Sequence, residues 1–143
     1  MDAFLDDSKL NVVKKIAQEL DCGCNCFYNI KTMEIVAIPH FDQMMDEDSF
    51  SADLKNIDLN KKEFIKFEVL ENFESFKIME QFVALLTDLS LQTELEKALA
   101  NKKPFQNFKY IINHSSYIQH WFDFKQNELE KRVEIRLERS KLA

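Results

Sequence analysis

CNCFYNIKTMEIVAIP, residues 24–39, is where the chain changes its period, and that change decides the fold. β-Branched and aromatic residues cluster at short spacing on both sides of the pair Lys31-Thr32, and Pro39 closes the run. The pattern predicts a strand over 24–30, a tight turn, and a second strand over 33–38 stopped by Pro39. The turn contains neither Asn-Gly nor Asp-Gly, so its type stays open. Two strands alone are marginal in water, which calls for a third. EFIKFEVL, residues 63–70, alternates apolar and charged side chains and supplies it.

Outward from these strands the period is helical. In SKLNVVKKIAQEL, residues 8–20, Leu10, Val13, Ile16, Ala17 and Leu20 recur at steps of three and four, behind Asp7 or Ser8 as a cap. Residues 40–60 are acidic and irregular, with a short helix expected at about 45–56, where Phe50 and Leu54 lie four apart. Beyond residue 73, Phe76, Met79, Phe82, Val83 and Leu86 form one stripe. Leu91, Leu95, Ala98 and Leu99 form another after Asp88 or Ser90, and Pro104 is expected to end that helix. FQNFKYIIN, residues 105–113, reads as a short helix. A last helix over about 115–141, capped by Ser115 or Ser116, turns Ile118, Trp121, Phe122, Leu129, Val133 and Leu137 inward. The expectation is one α+β domain over residues 1–143: an N-terminal helix, a small antiparallel sheet of about three strands, and a helical C-terminal half ending in a long helix.

Composition agrees. At 143 residues the chain has the usual size of one domain. Its thirteen phenylalanines, each able to remove about 150–250 Å² from water, should dominate the core. The single glycine, Gly23, excludes the glycine-rich phosphate loops, which need several. Residues 1–90 carry 18 acidic and 9 basic side chains, residues 91–143 carry 7 and 10, and the whole is −6. An acidic body opposes broad binding of nucleic acid through phosphate repulsion. The start is acidic, and no run approaches the roughly 18 apolar residues of a membrane span. The three cysteines crowd into residues 22–26, unlike a dispersed disulfide framework. A cytoplasmic protein without a membrane partner is therefore expected.

Three clusters could carry chemistry. Cys22, Cys24 and Cys26 offer thiolate ligands for a metal, but a structural zinc site needs a fourth ligand from His40, His114 or His120. The favoured reading is that alternate cysteines are small apolar residues on one strand face, with Asp21 tending to raise a thiol pKa. His114 and His120 are six apart and share no helix face, and a nucleophile-base pair with Cys24 or Cys26 requires the fold to join them. Asp42, Asp46, Glu47 and Asp48 lack the spacing of a calcium loop and read as a solvated acidic segment. In the third cluster, Lys102, Lys103, Phe105, Phe108, Lys109 and Tyr110, then Trp121, Phe122, Phe124 and Lys125, interleave rings with cations. Such a stretch serves as core rings with a charged rim, as a protein-binding groove, or as a stacking platform for nucleic acid, taken in that order.

IAQELDCGCNCFYNIKTMEIVAIP (16–39), ESFKIMEQFV (74–83), LEKALANKKPFQNFK (95–109) and WFDFKQNELEKRV (121–133) together resemble the bacterial uncharacterised protein family zero-one-five-eight. The most distinctive part is Pro-Phe-x-x-Phe-Lys followed by Trp-Phe-x-Phe-Lys. The resemblance runs in order along most of the chain and implies a small intracellular bacterial protein. It brings no activity, catalytic residue or cofactor with it. The leading expectation is a non-enzymatic protein-interaction module, binding a protein partner or a second copy of itself. Phe105, Phe108, Lys109, Trp121, Phe124 and Lys125 would lie on or under its contact surface. The alternatives are a nucleic-acid-binding module using the basic aromatic half and a metal- or thiol-dependent protein centred on Cys22, Cys24 and Cys26.

Overall fold

The structure is a computed structural model that describes residues 7–39 and 51–142. It is an α+β fold whose contacts group into two compact units, Met1–Val69 with Leu129–Ala143, and Leu70–Glu128.

In the first unit, helix α1 (Asp7–Asp21) buries Val12, Val13, Ile16, Ala17 and Leu20, while Leu10 stays half-buried. The helix ends on the chain's one glycine. Cys22 N donates to Gln18 O at 3.0 Å and Gly23 N to Leu20 O at 3.1 Å, and Gly23 takes φ 91°. A side chain is disfavoured in that left-handed conformation, which is why glycine stands where the helix turns into a strand.

Strand β1 (Cys24–Asn29) is the middle of a three-stranded antiparallel sheet, flanked by β2 (Ile35–Pro39) and β3 (Phe64–Phe67). Cys24 lies opposite Pro39, and Tyr28 lies opposite Ile35 on one side and Ile65 on the other. α1 packs on β1, with the Cys26 thiol 3.9 Å from Ile16 O. The β1–β2 connection is longer than the tight turn expected: β2 begins at Ile35 rather than 33, and it includes Pro39. The cause is Asn29. Its buried Oδ1 accepts from Lys31 N at 2.8 Å and Thr32 N at 2.9 Å, while Met33 takes a left-handed φ of 67°. Replacing Asn29 with alanine leaves two loop donors without their acceptor. The expected loss is about 1–3 kcal/mol in a thermal or urea melt, with Asn29→Asp retaining most of it.

Helix α2 (Ser51–Leu59) buries no residue, and Leu54 is exposed. Phe50 and the acidic residues 42–48 lie outside the described residues. A 3-10 turn at Lys61–Glu63 leads into β3.

The second unit is helical: α3 (Asn72–Leu85), α4 (Leu89–Leu99), α5 (Pro104–Asn113) and the start of α6 (Ile118–Leu142). Asp88 caps α4, its Oδ1 accepting from Leu91 N at 3.0 Å. Pro104 does not end α4, which stops at Leu99. It opens α5, where a missing N–H costs nothing and its fixed φ suits the first turn. Ser115 joins α5 to α6, its hydroxyl donating to Ile112 O at 2.8 Å and accepting from Tyr117 N at 3.1 Å. The last helix therefore starts at Ile118 rather than 115. The core holds Ile78, Met79, Phe82, Val83, Leu91, Leu95, Phe108, Ile112 and Trp121. Phe122, expected inward, is 51% exposed: it follows Trp121 directly and so points about 100° away from it. Further along α6, Leu129, Val133 and Leu137 are buried in the first unit.

Candidate interaction surface and cysteine cluster

Trp121 is the hub of the rings in the helical unit. Its ring centroid lies 4.8 Å from that of Phe108 and 5.3 Å from that of Phe82. Phe82 reaches Phe124 at 5.5 Å, and Phe76 meets Phe105 edge-on at 6.3 Å. These are favourable tilted and T-shaped arrangements, in which the positive edge of one ring meets the negative face of another. Of the six residues expected at a contact surface, Phe108 and Trp121 are core. Phe105 and Phe124 are partly buried against that core. Lys109 is exposed, and Lys125 is half-buried with Nζ 6.0 Å above the Trp121 ring. The rings thus serve packing first, and the cation beside Trp121 rests on its π face.

The most exposed aromatic of this stretch is Tyr110, ahead of Phe122. It lies two residues from both Phe108 and Ile112, about 200° around α5 from its buried face, and it is 66% exposed. Its position off the 105–108–112 stripe is a signal present in the sequence, although Tyr110 is not among the six contact residues expected from it. The His114 ring lies 4.4 Å from it, with His114 Nδ1 2.7 Å from Tyr110 O. Beside them, the start of α4, the end of α5 and the turn into α6 enclose a groove of about 340 Å³. Asp88, Glu94, Tyr110, His114, Ser116 and Tyr117 are among its walls. Carboxylates, hydroxyls and phenol rings converge there, a mixture suited to hydrogen bonding with another polypeptide.

The cysteines grade from surface to core: Cys22 is exposed, Cys24 half-buried and Cys26 fully buried. Burial pushes the Cys26 thiol up to about 12, and the negative charges of Glu19 and Cys24 add to it while Lys15 opposes. Cys24 is raised too, by burial first and then by Glu19 and Cys22. Both shifts favour the neutral thiol, the reverse of what a thiolate nucleophile or ligand needs. Among the described residues no group of three or more His, Cys, Asp or Glu side chains is arranged to hold a metal. His114 and His120 belong to the helical unit and the cysteines to the other, while His40 lies outside the described residues.

Among the described residues, no helix is long and apolar enough to cross a membrane. The model of one family, described as the uncharacterised protein family UPF0158, matches residues 9–142. No curated protein and no solved structure matches the chain.

Proposed function

The chain belongs to the uncharacterised protein family UPF0158, and from that premise we propose that it is a non-enzymatic protein-interaction module. Its contact surface is the outer face of α5 with the adjoining groove. The observation that carries this reading is Tyr110, two-thirds exposed opposite the buried Phe108 and Ile112 and rimmed by His114, Tyr117 and Glu94. Tyrosine is enriched at the energetic centres of protein interfaces, because it brings a large rigid ring and a phenol at low entropic cost. The raised thiols of Cys24 and Cys26 weigh against thiol chemistry. Asp88 and Glu94 weigh against phosphate in the groove.

Tyr110→Ala tests the reading. The variant keeps its stability within about 0.5 kcal/mol, as surface substitutions generally do. A protein recovered in near-stoichiometric amount with the wild-type chain from its native cells is lost with the variant. An unchanged set of co-purifying proteins would refute the assignment. Nucleic acid recovered instead, released as salt rises, would replace it with the basic-aromatic reading of Lys102, Lys103 and Lys109.

A further inference from the structure

We infer that the groove between α4 and α5 takes an arginine side chain of the partner protein, its guanidinium set against the Tyr110 ring and the carboxylates of Asp88 and Glu94. The inference rests on the α5 reading and names the chemistry of the partner that this surface fits.

The hydrogen-bonding groups of the groove decide its guest. Asp88 and Glu94 both line it, and among the described residues no lysine or arginine does. Asp88 spends Oδ1 on the cap of α4, accepting from Leu91 N at 3.0 Å, and keeps Oδ2. Among the described residues no ion pair joins a lysine or arginine to either carboxylate. His114 adds a further acceptor. Its Nδ1 lies 2.7 Å from Tyr110 O, a carbonyl that only accepts, so Nδ1 carries the proton and Nε2 of the neutral ring is left with a lone pair. The Ser115 hydroxyl brings no donor, because its proton already goes to Ile112 O at 2.8 Å. The walls thus offer negative charge and acceptors, and the complementary guest is a cation that carries donors alone. Among the described residues no three His, Cys, Asp or Glu side chains are arranged to hold a metal, which leaves an organic cation.

Shape and ring placement select the guanidinium. The groove, about 340 Å³, lies at the low end of the roughly 300–1,000 Å³ of ligand pockets, room for one long side chain and the backbone that carries it. Leu91 and Ile111 are the apolar part of the lining, suited to the methylene stem of a long cationic side chain. Tyr110 is 66% exposed, with the His114 ring 4.4 Å from its own, and its π surface attracts a cation. An ammonium answers the charge but not the plane. A guanidinium presents five N–H donors and no acceptor in a flat fork that stacks on a ring while bonding carboxylates at its edge.

The probe is a capped pentapeptide, Gly-Gly-Arg-Gly-Gly, titrated into the full isotopically labelled chain and followed by amide NMR shifts. Saturable shifts are expected, confined to residues 88–94 and 110–117. The same peptide with citrulline, which keeps the shape and loses the charge, binds at least about tenfold more weakly, and the lysine peptide at least about threefold. Glu94→Gln, on the exposed side of α4, weakens the arginine peptide about fivefold or more and leaves the citrulline peptide unchanged. No saturable shift at millimolar peptide would overturn the inference. So would equal binding of the citrulline or lysine peptide, or unchanged arginine binding in Glu94→Gln. A partner lost with Tyr110→Ala, but captured undiminished by Glu94→Gln while the arginine peptide fails to bind, would overturn the arginine assignment and leave the α5 reading standing.

Discussion

Replacing Trp121 with alanine is expected to cost about 3–5 kcal/mol, a large part of the roughly 5–15 kcal/mol that holds a domain folded. The side chain is 5% exposed, and its ring is in contact with those of Phe82 and Phe108. Truncation removes the transfer energy of the indole, leaves a cavity that the helices refill only in part, and deletes two ring contacts worth about 0.5–1.5 kcal/mol each. Lys125 loses the π face beneath it as well. Phe122→Ala, one residue away but half exposed, should change stability far less. Urea titrations of the two variants, compared at equal slope, check the pair. A Trp121→Ala midpoint close to the wild type would mean that the ring is not the hub.

The second large effect concerns the thiols. In the native protein Cys22 is expected to alkylate first, Cys24 more slowly, and Cys26 only on unfolding. For Cys26 the reason is quantitative. A thiol raised from 9.0 to about 12 has its thiolate fraction at neutral pH cut about a thousandfold. Its greater intrinsic nucleophilicity recovers about 15- to 30-fold of that, leaving a deficit of about 30- to 65-fold before burial blocks access. The same shift links to stability. The folded state holds the Cys26 proton more tightly than the unfolded chain, so its contribution is complete below the ordinary thiol range and is lost as pH rises toward about 12. A time course of alkylation by peptide mass spectrometry, native against denatured, measures the order. Native labelling of Cys26 as fast as Cys22 would restore thiol chemistry as a reading.

Much of this architecture was legible in the chain because apolar spacing is a direct record of which face is buried. The cluster of β-branched and aromatic residues at 24–39 pointed to the sheet, and Val13, Ile16, Ala17 and Leu20 to the face of α1 that packs on it. Spacing speaks less clearly at boundaries. Asn29 closes its loop with a side-chain bond that no periodicity records, so β2 starts two residues later than expected. Pro104 can stop one helix or start the next, and spacing alone does not distinguish the two; here it starts α5. The contact residues were the hardest to see. Phe105, Phe108, Trp121 and Phe124 stand out by type, yet a ring's type is the same in a core as at an interface. The discriminating signal was Tyr110, a ring whose position falls off the buried stripe.

A photoreactive phenylalanine analogue tests whether the outer face of α5 meets another protein. The analogue is placed at Tyr110 and, as a control, at Lys77, an exposed position on α3. Irradiated in native cells, position 110 should give one discrete adduct of defined mass, and position 77 should give none. No adduct at 110, or the same adducts from both positions, would contradict the assignment of α5 as the contact surface.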